Sequence, residues 1–160
     1  SITFDDGYSS VMKILELPHK VPITVYLSTG FINTQRYFWA TYIELLIMKK
    51  EIDSIDLSKF NLGSYSLSSY RKRRNTIILL NKKMKKLRPE KIQSIIEYLA
   101  KKFDLRIHDE FLNWGQVNEL SRAGVTIGSH THNHAITSRI SESEFREEIQ
   151  LSHEIPPISS

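Results

Sequence analysis

Cysteine is missing altogether from these 160 residues, which excludes disulfides, thiolate metal sites and a cysteine nucleophile. Long apolar runs are missing too. The best candidate, residues 37–48, falls short of the roughly 18 residues a membrane-spanning helix needs and contains Glu44, so we expect no membrane span. No groove-reading motif accompanies the positive charge, and no nucleic-acid partner is expected. Internal repeats and low-complexity tracts are also absent. A signal peptide is not seen, and the chain opens on Ser1 rather than Met, directly before its first motif; we expect sequence upstream, and the compartment stays open. What remains is ordinary for a globular protein, with 40% hydrophobic and 25% charged residues.

The net charge of +4 is unevenly spread: residues 36–112 hold 17 of the 22 Lys and Arg against 9 of the 18 Asp and Glu. The basic excess therefore lies entirely in the middle. Its densest parts, Arg71-Lys72-Arg73-Arg74 and Lys82-Lys83-Met84-Lys85-Lys86, could attract phosphate, anionic glycan or an acidic membrane surface, although solvated faces of long helices are the favoured reading.

Periodicity sketches the order of elements. Ile2-Thr3-Phe4 reads as the end of a strand, followed by a turn at Gly7 and a helix presenting Val11, Ile14, Leu15 and Leu17 until Pro18 stops it. Residues 22–27 read as a buried strand, and strand, helix, strand at this spacing argues for a parallel α/β unit. Helices are expected over 38–50, over 68–87 with Ile77, Ile78, Leu80 and Met84 partly on one face, and from Pro89 onward, with a short hairpin around Gly63 between the first two. Residues 114–123 predict another helix closed by Gly124, residues 125–128 a strand, and Ser141 with Glu144 a capping box ahead of Phe145, Ile149 and Leu151.

Two polar clusters stand at the ends of predicted strands, Asp5-Asp6-Gly7 and Ser129-His130-Thr131-His132-Asn133-His134. Adjacent aspartates at a strand end point different ways and cannot share one role, so one can hold a cation while its neighbour handles protons. Two histidines and one aspartate suit zinc and leave a coordination position open. An extended segment would pair His130 with His132, and a turn would pair His130 with His134; we expect the turn, with His132 on the rim. His19, His108 and His153 stand outside any cluster, and His108 with Asp109 reads as a hydrogen-bonded pair.

Thr3-Phe4-Asp5-Asp6-Gly7-Tyr8 resembles the first motif of the polysaccharide deacetylase, or NodB-homology, family. His130-Thr131-His132-Asn133-His134 matches its second, His-Ser/Thr-x-x-His, in the family's order. Residues 22–32, Phe38-Trp39 and 114–117 are similar too, leaving the basic middle, about 36–112, as a helical insertion. The resemblance implies Asp5 as catalytic base and Asp6, His130 and His134 as metal ligands, most fittingly for zinc. It implies hydrolysis of an N- or O-linked acetyl group on a polysaccharide or oligosaccharide. The implied fold is α/β, part of the family's distorted (β/α) barrel. The family's late histidine motif, which protonates the leaving amine, and its groove-shaping Arg/Pro/Tyr-like motif are not found after His134, so one truncated domain over 1–160 is expected. Two other readings stand beside this: a non-catalytic metal- or glycan-binding remnant, and a different metal-dependent hydrolase that would use His132 in place of His134.

Overall fold

A computed structural model describes residues 1–16, 18, 21–34, 36, 38–105 and 111–154. Leu17, His19 and the His108–Asp109 pair lie outside the described residues. In chain order the elements are β1 (Ile2–Phe4), a 3-10 helix (Ser9–Glu16), β2 (Ile23–Leu27), α1 (Trp39–Met48), β3 (Ser54–Asp56), a 3-10 turn (Ser58–Phe60), β4 (Ser64–Ser66), α2 (Tyr70–Met84), α3 (Pro89–Phe103), α4 (Trp114–Arg122), β5 (Thr126–Ser129), a 3-10 turn (Thr137–Arg139) and α5 (Glu142–His153). The chain divides into two compact units, Ser1–Arg36 with Ile107–Ser160, and Tyr37–Arg106. Among the described residues no helix is long and apolar enough to cross a membrane.

The first unit is a parallel three-stranded sheet in the order β1-β2-β5, with Val25 opposite both Phe4 and Ile127. Its strand composition explains β2: Ile23, Val25 and Leu27 alternate inward on a β-branched, apolar run, while Tyr26 faces out. Val11 and Ile14 of the 3-10 helix, Leu112, and Val117 and Leu120 of α4 close over that face. The segment expected as an ordinary helix winds as a 3-10 helix instead. Its buried residues Val11 and Ile14 are three apart, matching the three-residue turn of that helix. Asn113 and Gln116 cap α4 reciprocally, and Gly124 ends it with φ 86°. The sheet is open, and no closed barrel is present among the described residues.

The second unit packs α1 against α2 and α3, beside an antiparallel hairpin of β3 and β4. Tyr42, Ile43, Leu46, Leu80, Ile95 and Leu99 are fully buried within it. Leu80 and Met84 point inward on α2 as expected, but Ile78 is 60% exposed: two residues before Leu80, it falls about 160° away around the helix. Arg73 takes a buried place that no apolar pattern marks. Its guanidinium donates to the carbonyl oxygens of Ile47 and Lys49 at the end of α1 and of Ile52 just beyond it, at 2.5, 2.6 and 2.9 Å.

Candidate metal centre

Both polar clusters leave the same end of the sheet, because β1 and β5 flank β2 and all three strands run in parallel. In open parallel sheets that carboxyl end is where ligands bind. The exit of β2 holds the two clusters directly: Ser28 N–H donates to Asp6 C=O at 3.3 Å, and His130 N–H donates to Leu27 C=O at 2.8 Å.

After β1 the backbone reverses in a three-residue turn. Gly7 N–H donates to Asp5 C=O at 3.0 Å, and the central Asp6 has φ 72°, as in the rare γ-turn of positive φ. Aspartate tolerates this region better than most side chains, and Gly7 follows at φ 82°. Leu112 N–H donates to Gly7 C=O at 2.9 Å and pins the turn. Asp5 is exposed, whereas Asp6 is half-buried.

The histidine segment turns rather than extends, with Thr131 at φ 63° and His134 at φ 53°. This folds His134 back toward His130, their ring centroids 5.0 Å apart. The Nε2 atoms of His130 and His134 lie 3.4 and 3.0 Å from Asp6 Oδ1. His132 is not part of this convergence; its Nδ1 lies 2.9 Å from Thr29 Oγ1. Asp5 supplies no atom to it either, and His153 is exposed at the end of α5.

Asp6, His130 and His134 could hold a metal ion, their ligand atoms all within 4.8 Å of one another. A second observation fits: Asp6 Oδ1 is buried and no described residue directs a hydrogen bond at it, although two ring nitrogens are close. A convergence of one carboxylate oxygen and two imidazole nitrogens is a donor set zinc accepts.

A model of the family described as polysaccharide deacetylase matches residues 1–155. The chain belongs to the polysaccharide deacetylase family. That membership supports carbohydrate deacetylation as its general chemistry and acetylated polysaccharide as its substrate class. Among curated proteins and among solved structures, none matches this deacetylase-family chain.

The residues supporting the histidine turn were less visible in the sequence than the histidines themselves. Thr29 and Gly30 donate backbone N–H bonds to the carbonyls of Thr131 and His132 at 3.2 and 2.8 Å, and Ser28 Oγ donates to His130 C=O at 3.2 Å. A Cβ on Gly30 would stand 2.8 Å from His132 O, so only glycine permits this approach. Glu148 of α5 is buried and accepts from His132 N–H, Asn133 N–H and Asn133 Nδ2 at 2.9, 2.7 and 2.7 Å. Arg36 donates to Asn133 Oδ1 at 2.8 Å and to Gly30 C=O at 3.0 Å. Burial pushes the Arg36 guanidinium below its ordinary value, an effect the Glu148 charge partly offsets. The apolar spacing in α5 draws attention to Phe145 and Ile149, yet Glu148 and Ser152 are its buried residues and Phe145 is 39% exposed.

Proposed function

We propose that this chain is a metal-dependent carbohydrate deacetylase in which Asp6, His130 and His134 hold zinc and Asp5 is the catalytic base. The observation that carries the reading is the convergence of the three side chains on one point, with Asp6 Oδ1 buried and lacking an aligned donor. Zinc bound there would bring the pKa of a water toward neutrality and draw charge from the acetyl carbonyl. Asp5, adjacent in sequence yet outside the convergence, is free of the ligand role and exposed to a substrate approaching the strand ends. Its carboxylate would take the proton from the attacking water, and general-base help of this kind is worth about 10²- to 10⁴-fold. The left-handed backbone at Asp6 supports the split, since it turns the chain between the two carboxylates.

The sheet, with β2 central and its flanking strands parallel, is compatible with part of the family's barrel, which we retain as a proposal together with a single deacetylase domain carrying residues 36–112 as an insertion. Contact of that basic insertion with anionic glycan is likewise a proposal.

The test combines metal binding with acetate release from acetylated chitooligosaccharide. Asp5→Asn should retain zinc and lose at least 10²-fold in turnover, whereas Asp6→Asn should lose both zinc and turnover. Loss of zinc from Asp5→Asn would overturn the division between the aspartates. Zinc binding without acetate release by the unaltered chain would favour a non-catalytic binding module.

A further inference from the structure

We propose that Glu148 is a positioning residue for the histidine turn, acting through His132, Asn133 and the cation of Arg36. The proposal rests on the reading of Asp6, His130 and His134 as metal ligands. A carboxylate 8% exposed loses most of its hydration and must be compensated by direct partners. Here the compensation is aimed at one place. Glu148 Oε2 accepts from the N–H groups of His132 and Asn133, and Oε1 accepts from Asn133 Nδ2. The two N–H groups belong to residues lying between His130 and His134.

The turn has reason to need such support. Thr131 and His134 both occupy the left-handed region, at roughly 1–2 kcal/mol per residue, so the conformation that brings the imidazoles together is not one these residues favour alone. Hydrogen bonds to an ionised acceptor are about twice as strong as neutral ones and can offset that strain. Asn133 is also oriented from both sides: its oxygen meets Arg36 Nη1, and its amide nitrogen meets Glu148 Oε1. A flipped amide would lose both contacts. Arg36 is itself held by Gly30 C=O and by the face of the Phe31 ring, 4.8 Å from its centroid.

A packing role alone would place an apolar side chain at position 148. Instead, α5 buries Glu148 and, four residues on, Ser152, whose Oγ lies 2.8 Å from Ser129 Oγ at the end of β5. The helix thus grips the chain just before His130 and again between the two histidines. A shift of this helix moves the imidazoles relative to Asp6.

Metal-stripped protein titrated with zinc, and with cobalt as a spectroscopic substitute, tests the proposal. Outer partners of metal ligands typically contribute 10- to 100-fold in affinity, and Glu148→Gln should lose about that much and alter the cobalt absorption bands while far-UV circular dichroism stays unchanged. Glu147→Gln, on the exposed side of α5, should change neither. Asn133→Ala removes the bridge at an exposed residue and should move affinity and spectrum in the same direction; it decides the matter if Glu148→Gln does not fold. Unaltered zinc affinity and cobalt bands in these variants, with only the melting temperature lowered, would overturn the positioning role while leaving the metal reading intact. Failure of the unaltered protein to bind either metal would overturn the metal reading, and this proposal with it.

Discussion

Alanine at Gly7 would meet two separable costs, and the molecule contains its own control. The first is conformational: Gly7 sits at φ 82°, where an L side chain costs roughly 1–2 kcal/mol. The second is steric. A Cβ there would stand 2.9 Å from Leu27 Cδ2 and 3.0 Å from Ile32 Cδ1, side chains that are 1% and 3% exposed inside the core and have little room to yield. Overpacking of this kind adds about 1–3 kcal/mol, for a total of about 2–5 kcal/mol. Gly124 has nearly the same backbone, φ 86°, but nothing within 4 Å of its added Cβ, so alanine there should carry the conformational cost alone, about 1–2 kcal/mol.

Urea unfolding of both variants reads the difference. With a slope of about 2 kcal/mol per molar, the Gly7 variant should unfold roughly 0.5–1.5 M earlier than the Gly124 variant. Zinc binding supplies a second readout, because Gly7 adjoins Asp6 and its carbonyl is pinned by Leu112, whereas Gly124 lies at the far end of α4. Alanine at 7 should weaken zinc, and alanine at 124 should not. Equal losses of stability in the two variants would refute the packing argument, and unchanged zinc affinity in the Gly7 variant would refute the link between that turn and Asp6.

Other perturbations have equally definite outcomes. His134→Ala should reduce zinc affinity at least 100-fold, while His132→Ala, which removes a ring facing Thr29, should cost under tenfold by isothermal titration; the reverse order would point to the alternative pairing of His130 with His132. Arg73→Met should destabilise the 37–106 unit by about 2–4 kcal/mol in thermal unfolding, because three carbonyls at and just beyond the end of α1 lose a charged donor; a change below about 0.5 kcal/mol would show that water replaces the guanidinium without loss.

The parts of the fold that announce themselves in sequence are those governed by local chemistry. Ser141 caps a helix, Pro89 opens one and Gly124 closes one, each by meeting a local backbone requirement. The alternation in β2 and the spacing of Ile92, Ile95, Ile96 and Leu99 in α3 likewise follow from one-sided burial. Where the reading departs, a non-local partner has overridden the local pattern. Arg73 is buried because carbonyls at the end of α1 recruit its guanidinium. The candidate ligands were legible because their types are rare in combination; Glu148 was not, because an acid on a helix is ordinary until the helix is docked.

The inversion of α5 follows from what it covers. A helix packed on a sheet face meets side chains and gains most by burying apolar groups, but a helix packed on a tight turn meets backbone N–H groups that the turn leaves without sheet partners. Such groups, once buried, cost about 1–3 kcal/mol each if unpaired, which outweighs the benefit of burying a phenylalanine partly exposed elsewhere. An acid immediately before the expected apolar position Ile149 is then the favoured occupant. The same reasoning places the support of the site in residues without chemistry of their own. Leu27 and Ser28 hold His130 and Asp6 through their backbone, and Ser28 Oγ adds a bond to His130 C=O, so the main chain at these positions must stay put. The 3.0 and 3.4 Å approaches of the two imidazoles to Asp6 thus depend on the exit of β2 on one side and α5 on the other. Displacement of either by about 1 Å would exceed the roughly 0.5 Å within which a site must hold its groups.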